Sequence, residues 1–287
     1  MRTDTRRLTR WAPAFVVFAI VAFVAIVVIG ALGWISLGEA LVLLAIGAVG
    51  AAVCFFGVAE HRFRANLPAR IWDIVATRGI ADYEQFVAWT ELQRHLAPAD
   101  FMPPLRSWAA SPDVLRVLAR AIDAAKPDLV VECGSGASSI WLGYALRRAG
   151  RGRLVALEHD EHYAALSRAL VSAYELDDVV EVRYAPLTEQ SAGRASTQPW
   201  YDPAAIDDLS GIGVLFIDGP PDHVAPMARY PAIPLLLDRC APDATIVLDD
   251  AARAEERAIG DRWLAEHPEL QRRSVPAEKG ADVFTLQ

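Results

Sequence analysis

The sequence is poor in cysteine and in lysine. Three cysteines are scattered over 287 residues, and no two of them form a Cys-x-x-Cys pair. Such a set argues against a disulfide framework, lacks metal-binding spacing and is typical of a reducing compartment. Lysine occurs only at positions 126 and 279, and no internal repeat or low-complexity segment is present. A disulfide-rich secreted module and a repeat array are therefore excluded.

Charge is missing from two long stretches near the amino end. No charged residue occurs from Trp11 to Gly38, and after Glu39 a second uncharged run extends from Ala40 to Ala59. At about 1.5 Å per helical residue, each run can cross a hydrocarbon layer of roughly 30 Å. The apolar core of a cleaved signal peptide has only about 7–15 residues. The sequence therefore predicts two transmembrane helices, with two buried core helices as the alternative.

The connection between these runs lacks Lys and Arg, whereas arginines flank both outer ends. They are Arg2, Arg6, Arg7 and Arg10 before the first run and Arg62, Arg64 and Arg70 after the second. Basic flanking residues stay on the cytoplasmic side of a membrane. We therefore predict a multi-pass membrane protein with both termini, and any domain after residue 60, in the cytoplasm.

The net charge of −8 is unevenly distributed. Residues 1–70 carry 7 basic and 3 acidic side chains, which leaves 21 basic and 33 acidic ones in the remainder. A surface that binds nucleic acid needs an excess of basic residues to neutralise phosphates. The acidic remainder argues against a nucleic-acid partner, and its length suits one large α/β domain and a connecting segment.

Residues 129–148 combine an apolar strand, an acid, a glycine turn and a helical segment. Gly134 and Gly136 can adopt positive φ and have no Cβ, so a ligand can approach their backbone closely. Glu132 offers acceptors for a cationic or hydroxylated group. Open α/β sheets bind ligands at such turns, at the carboxyl ends of parallel strands. The stretch predicts a site for a nucleoside-like cofactor; a strand-to-helix turn without a ligand is the alternative.

Four more apolar strands are predicted, at residues 153–157, 179–184, 214–217 and 244–248. The second strand of the series ends in Glu158, 26 positions after Glu132, which approaches the spacing of about 20 residues for a ribose-binding acid. The fourth strand ends in Asp218 and the fifth in Asp249-Asp250. Polar residues at these strand ends predict a doubly wound α/β sheet with its ligand edge there.

The remaining segments are predicted more coarsely. Residues 61–110 are expected to be helical, with a short helix that Gly79 ends and a second helix that Asp82 caps and that extends to Leu96. Residues 188–211 are rich in Ser, Gly, Asp and Pro, and a loop of that length is typical of a lid. Residues 270–275 and 282–286 alternate like an antiparallel strand pair.

The Glu-x-Gly-x-Gly turn, Glu158 and the run Ile217-Asp218-Gly219-Pro220-Pro221 occur in the order found in class I S-adenosylmethionine-dependent methyltransferases, which residues 111–287 resemble. Residues 228–231 and 248–256 are similar to the catechol-type and sugar O-methyltransferase branch. Two positions depart from it: Ser138 stands at the third glycine, and no lysine follows the fourth strand, where catechol-type enzymes keep their base. The resemblance implies a Rossmann-like sheet that ends in an antiparallel pair.

The resemblance also implies S-adenosylmethionine as the cofactor. The expected cofactor-binding residues are Glu132, Gly134, Ser135, Gly136, Ser138, Glu158, His159 and Asp218. Among them, Glu158 is expected to accept hydrogen bonds from the ribose hydroxyls.

Methyl transfer from a sulfonium requires alignment, exclusion of water and removal of a proton from the acceptor. Asp218 and His223 are the catalytic candidates, His223 as the base because imidazole titrates near neutral pH; a turn position beside the pocket is the alternative for His223. Asp218, Asp249 and Asp250 are hard oxygen ligands that suit Mg²⁺, which would acidify an acceptor hydroxyl. Alternatively, Asp250 caps a helix that begins near Ala252, and Asp218 bonds cofactor or backbone.

The sequence as a whole predicts a membrane-anchored methyltransferase that acts on an oxygen of a small-molecule or lipid-like acceptor. Its predicted parts are a two-helix transmembrane hairpin at 1–60, a connecting segment at 61–110 and a methyltransferase domain at 111–287. A methyltransferase-like domain that binds a ligand or partner without catalysis is one alternative. An NAD-dependent dehydrogenase is another, although its third glycine or alanine is replaced here by Ser139.

Overall fold

The computed structural model describes residues 20–99, 101–192 and 197–287. The chain forms two compact units, Met1–Ile80 and Ala81–Gln287. The boundary between them falls inside one helix, and the three-part division at residues 60 and 110 stays a prediction. The start of the first predicted span and the arginines at positions 2 to 10 lie outside the described residues.

The amino-terminal unit contains helix α1, Ile20–Ala31, and the first part of helix α2, Leu37–Leu96. A capping box starts α2: the Ser36 backbone N–H donates to Oε2 of Glu39 at 2.8 Å, and the Glu39 N–H donates to Oγ of Ser36 at 3.3 Å. Such reciprocal bonds satisfy donors that a helix start leaves without partners. Glu39, which interrupts the two uncharged runs, therefore has a structural role in the turn between the helices.

Within the described part of the chain, α2 is the one helix long and apolar enough to cross a bilayer, and no residue of its most apolar stretch is buried. The predicted span Ala40–Ala59 lies entirely inside α2, and residues 20–31 of the other predicted span form the apolar helix α1.

The prediction of two separate helices around Gly79 and Asp82 is wrong, because α2 runs through both positions. A glycine inside a helix costs only about 1 kcal/mol, which the flanking helical sequence outweighs. Asp82 does not cap a helix start; its Oδ1 accepts a hydrogen bond from Nη2 of Arg106 at 2.7 Å.

The carboxyl-terminal unit is built on a seven-stranded sheet with the order β3-β2-β1-β6-β7-β9-β8. The strands of the unit are β1 Leu129–Cys133, β2 Arg153–Glu158, β3 Val180–Tyr184, β4 Leu187–Ser191, β5 Thr197–Tyr201, β6 Ile212–Ile217, β7 Cys240–Asp249, β8 Leu270–Val275 and β9 Ala281–Leu286. The first five strands in the sheet order are parallel, and β9 pairs antiparallel with β7 and β8. The predicted doubly wound sheet with a closing antiparallel pair is confirmed.

Helices cover both faces of this sheet. They are α3 Pro112–Ala125, α4 Ala137–Ala149, α5 Glu161–Ala173, α6 Ala232–Leu236 and α7 Ala254–Glu266. Side chains alternate along the strands, so Val130 and Val214 pack in one core with α3 and α4, whereas Val131 and Leu215 pack in the other core with α6 and α7. Burial on both faces explains why β1 and β6 are continuous apolar runs.

The prediction of a long loop at residues 188–211 is wrong. Strands β4 and β5 form an antiparallel pair, and Pro203–Ala205 is a short 3-10 helix. Trp200 and Tyr201 are completely buried, and they belong to the same core as Val131 of β1. Aromatic residues favour strands that pack against a core, and this burial outweighs the Ser, Gly and Pro content of the segment.

Candidate active site

A cavity of about 410 Å³ opens where strands β1, β2 and β6 end. Its volume is within the roughly 300–1,000 Å³ range of small-molecule sites. The sheet order reverses between β1 and β6, and ligands bind at such a switch point in open α/β sheets. All eight residues predicted to bind the cofactor line this cavity: Glu132, Gly134, Ser135, Gly136, Ser138, Glu158, His159 and Asp218.

The glycine turn between β1 and α4 has the conformation that the sequence predicts. Gly134 and Gly136 have φ values of +112° and +145°, in the region that side chains other than glycine rarely adopt. The backbone N–H of Gly134 donates to the carbonyl of Leu157 at 2.9 Å. A Cβ at Gly136 would meet nothing within 4 Å, so the turn leaves open space above its backbone.

The carboxylate of Glu132 accepts hydrogen bonds from the start of the helix that follows this turn. Oγ of Ser139 donates to Oε2 of Glu132 at 2.6 Å, and Oγ of Ser138 donates to Oε1. Burial raises the pKa of Glu132 to about 7, although both serine hydroxyls act to lower it. Ser138, which departs from the third glycine of the family pattern, thus binds the acid of the same motif.

Glu158 is held at the end of β2 by neutral donors and by a histidine. Ser135 Oγ donates to Oε2 of Glu158 at 2.9 Å, and the Asp160 N–H donates to Oε1 at 3.0 Å. His159 Nδ1 lies 3.0 Å from Oε1. Burial acts to raise the pKa of Glu158, but bonds from His159, Asp160 and Ser135 outweigh it and lower the pKa. The group is therefore an ionised acceptor at neutral pH.

Asp218, Asp249 and Asp250 come together as the sequence predicts. One oxygen atom from each lies within 4.8 Å of the others, because β6 and β7 are neighbours in the sheet. Asp249 is completely buried and Asp250 is 2% exposed. Asp218 and Asp250 line the cavity. Burial, with a contribution from the charge of Asp249, raises the pKa of Asp218 to about 8.

Three cationic side chains that were not predicted from the sequence contact these carboxylates. Arg229 Nη2 is 2.9 Å from Oδ2 of Asp250 and 3.3 Å from Oδ1 of Asp218. Lys279 Nζ is 3.4 Å from Oδ2 of Asp249 and 3.4 Å from Oδ1 of Asp250. Arg253 Nη2 is 3.1 Å from Oδ2 of Asp250. The one available signal for Lys279 was the scarcity of lysine in the chain.

The residues present therefore meet a metal ion's needs only in part. Both side-chain oxygens of Asp249 are buried and have no hydrogen-bond partner among the described residues, which suits a ligand set. However, ammonium and guanidinium groups already contact the same carboxylates. The predicted Mg²⁺ site has its three acids in place, and the protein's own cations lie beside them.

The structure does not bring His223 into this cavity. His223 is exposed in the turn that follows Pro221, and the neighbouring Asp222 lines the cavity instead. The alternative interpretation of Asp250 as a helix cap is also wrong, because α7 begins at Ala254 with Arg253 at the cap position. Spacing from Asp218 could not show which residue of the turn faces the ligand.

Aromatic residues complete the cavity wall. Trp108, Tyr163 and Tyr201 line it, and Trp108 is 87% exposed. The buried Oη of Tyr201 has no hydrogen-bond partner within the described ranges. A Cβ at Gly219 would lie 2.7 Å from this oxygen, so glycine is needed where β6 ends. Sequence reasoning placed Tyr201 in a lid, and only tertiary packing brings it to the site.

The comparisons with known proteins agree with this geometry. Residues 131–251 match the sequence pattern of a family described as a methyltransferase domain. The protein is an S-adenosylmethionine-dependent methyltransferase. The matched residues extend from β1 to the first residue after Asp250, so they include the glycine turn and the three aspartates that line or adjoin the cavity. No curated protein has a matching sequence.

Two solved structures share the fold of the methyltransferase. An O-methyltransferase from Bacillus cereus in complex with SAH is 19% identical, with 73% of this chain and 97% of that chain covered and a TM-score of 0.51. An SAH-bound methyltransferase from Podospora anserina is 16% identical, with 71% and 87% covered and a TM-score of 0.50. At such identities the likeness concerns the fold.

Proposed function

We propose that this methyltransferase acts on an oxygen atom of a small-molecule or lipid-like acceptor while it is anchored in a membrane. The observation that carries the proposal is a single cavity that joins the glycine turn and Glu158 to Asp218 and to an aromatic wall. One side of this cavity suits a nucleoside with a charged tail, and the other side suits an acceptor next to an acid.

The cofactor residues are expected to act by position and charge. Glu158 is ionised and accessible from the cavity, so it accepts hydrogen bonds from the ribose hydroxyls. Gly134 and Gly136 allow the cofactor's tail to approach the backbone. When bound, S-adenosylmethionine supplies an activated methyl group on a sulfonium, so the chain has to orient the acceptor, exclude water and take up one proton.

Asp218 is the base that we propose in place of His223. It ends β6, faces the cavity and lies beside the glycine turn, where an acceptor oxygen can approach the methyl group. Asp218 accepts the proton of the acceptor hydroxyl as the new O–C bond forms and the C–S bond breaks. Arg229 contacts the same carboxylate and holds it in place.

Transfer to oxygen is supported by the chemistry of this wall. A carboxylate beside a guanidinium suits a hydroxyl acceptor, which must lose a proton to react. The structurally similar Bacillus cereus protein is named an O-methyltransferase. The runs at 228–231 and 248–256, which resemble the O-methyltransferase branch, contain Arg229, Asp249 and Asp250.

Membrane anchoring is supported by α2, whose apolar residues are exposed, and by the uncharged run around α1. Trp108, almost fully exposed where it lines the cavity, suits contact with an aromatic or lipid-like acceptor, because indole combines a large apolar surface with one polar group. The cytoplasmic location of the catalytic domain follows from the flanking arginines and stays a prediction.

Transfer of a labelled methyl group tests the proposal. Full-length protein in lipid nanodiscs is incubated with methyl-labelled S-adenosylmethionine and an extract of membrane lipids and metabolites, and the products are characterised by mass spectrometry and NMR. We expect an O-methylated product, and we expect Asp218→Asn to lower the rate by about 100-fold or more while cofactor binding is retained. Products methylated only on nitrogen or carbon, or an unchanged rate in the folded variant, would contradict the proposal.

A further inference from the structure

The carboxylate cluster at the ends of β6 and β7 has a cation of its own. Lys279 Nζ lies at the same distance, 3.4 Å, from Oδ2 of Asp249 and from Oδ1 of Asp250. These are two of the three acids that a divalent ion would use. Neither Asp249 oxygen has a hydrogen-bond partner within the described ranges, and Lys279 is the cationic side chain that the described residues place in contact with Asp249.

Lys279 reaches this position from a turn that the backbone fixes. It lies between β8 and β9, and its carbonyl accepts a hydrogen bond from the Ala252 N–H at 2.9 Å, while the Gly280 carbonyl accepts one from the Ala251 N–H at 3.0 Å. Gly280 has φ of +72°, and a Cβ there would lie 2.6 Å from the Ala252 nitrogen. The turn therefore packs directly on the segment that follows Asp250.

The other side of the turn is fixed as well. The Glu278 N–H donates to Oδ2 of Asp113 at 2.8 Å. The guanidinium of Arg106 binds the Glu278 carboxylate with contacts of 2.7 and 2.9 Å. Such bidentate pairs restrict geometry more than single contacts do. Hydrogen bonds on both sides of the turn therefore fix the position of the Lys279 ammonium.

Each aspartate of the cluster contacts a cationic side chain. Arg229 contacts Asp218 and Asp250, and Lys279 contacts Asp249 and Asp250. Arg253 contacts Asp250 and also pairs with Asp222 and Glu256. A Mg²⁺ ion needs its oxygen ligands at about 2.0–2.1 Å. An ion bound to both Asp249 and Asp250 would lie beside the Lys279 ammonium, where like charges repel in a buried site.

We propose that the Lys279 ammonium takes the position of a divalent metal ion in this cluster, and that the methyltransferase works without one. Lys279 then orders Asp249 and Asp250 next to Asp218. It acts as a fixed cation and is not a substitute for the base lysine that is missing after β6, since two carboxylates contact it.

This inference deepens the proposed function and rests on it, because the proposed function assigns the cluster to the acceptor side of the cavity. Its test uses no acceptor, so its failure is distinguishable from failure of the proposed function. Full-length protein in uncharged detergent micelles is stripped with EDTA and titrated with Mn²⁺, and bound ion is measured by electron paramagnetic resonance. We expect no stoichiometric site in the wild type and at least about tenfold tighter Mn²⁺ binding in Lys279→Ala.

Control variants separate charge from packing. Lys279→Arg keeps the charge and should bind no Mn²⁺, and Lys126→Met changes the other, exposed lysine and should behave as the wild type. The site gained in Lys279→Ala should disappear when Asp249→Asn is added. Circular dichroism and S-adenosylmethionine binding establish that each variant is folded.

Two outcomes would overturn the inference. One is a stoichiometric Mn²⁺ site in the wild type that Asp249→Asn removes, a result that needs no lysine variant. The other is a folded Lys279→Ala protein without a gained site, which would mean that Lys279 does not hold the position of an ion. The expected pattern of gain and loss would establish a metal-free cluster.

Discussion

The two halves of the cavity hold their acids in different ways. On the side of β1 and β2, Glu132 and Glu158 accept hydrogen bonds mainly from serine hydroxyls and a backbone N–H of the same segments. On the side of β6 and β7, three aspartates contact the cationic side chains of Arg229, Arg253 and Lys279. Neutral local donors build the first half, and charged side chains from other segments build the second.

This difference matches what each half has to do. In the proposed function, the side of β1 and β2 binds the cofactor, and hydroxyl and N–H donors position Glu158 there as an ionised acceptor. The side of β6 and β7 takes up a proton, and buried charges beside Asp218 control how readily it does so. We expect the two halves to respond differently when a single partner is removed.

The largest effect should come from Arg229 in the charged half. Its side chain is 5% exposed and contacts Asp218 and Asp250, so Arg229→Met leaves buried carboxylates without their main partner. Removing one member of a buried ion pair costs about 3–5 kcal/mol. Urea unfolding of the micelle-bound protein, followed by tryptophan fluorescence, measures the loss.

Arg151→Met is the matched control, because Arg151 forms an exposed ion pair with Asp128. Exposed pairs contribute at most about 1 kcal/mol. Equal losses in the two variants would contradict the description of the second half as a buried charge cluster.

The same difference explains how far the sequence predicts this site. The eight residues expected to bind the cofactor could be grouped from the sequence because they belong to one strand-turn-helix unit or end or follow one of the two strands next to it. The partners of the aspartates could not be predicted: Lys279 lies 61 positions after Asp218, and only the antiparallel pairing of β7 with β9 brings it to the cluster. Periodicity describes local structure and cannot show which distant side chains meet.

The fold shows the same contrast between elements that local sequence signals predict and elements that depend on long-range packing. The five parallel strands and the closing pair were predicted from apolar runs and alternation. The β4–β5 pair was missed because burial of Trp200 and Tyr201 in the core, which forms over long range, outweighs the local loop composition. The continuous helix α2 was missed because Gly79 and Asp82 are helix-end signals only when the neighbouring residues leave the helix.

The second prediction concerns the side of β1 and β2, where stability should depend on pH through Glu132. The pKa of Glu132 is about 7 in the folded protein, against 4.5 for an ordinary glutamate. Between these values the folded state binds more protons at Glu132 than the unfolded state does, so the contribution of Glu132 to stability is complete below pH 4.5 and is lost as the pH rises through 7. This contribution is about 3 kcal/mol.

Glu132→Gln measures that contribution, since it keeps the shape of the protonated acid and cannot ionise. The free energy of unfolding of the wild type should fall from pH 5 to pH 7.5 by more than that of the variant. Asp218 also titrates, with a pKa of about 8, so the difference between the two proteins is the relevant quantity. Parallel pH profiles would show that Glu132 stays ionised.

The smallest of the three effects concerns Glu158, the second acid of the neutral half. Glu158→Ala removes an ionised acceptor from the cavity, and two of the donors that it leaves, the Ser135 hydroxyl and the Asp160 N–H, are uncharged. Loss of a hydrogen bond to a charged group costs about 1.5–3 kcal/mol, so S-adenosylmethionine should bind at least about tenfold more weakly, while stability changes little.

Glu161→Ala is the matched control, because Glu161 is an exposed glutamate at the start of α5. Calorimetric titration of the full-length protein measures both affinities. An unchanged affinity in folded Glu158→Ala would remove Glu158 from the cofactor site and leave the glycine turn as the main binding element of that half.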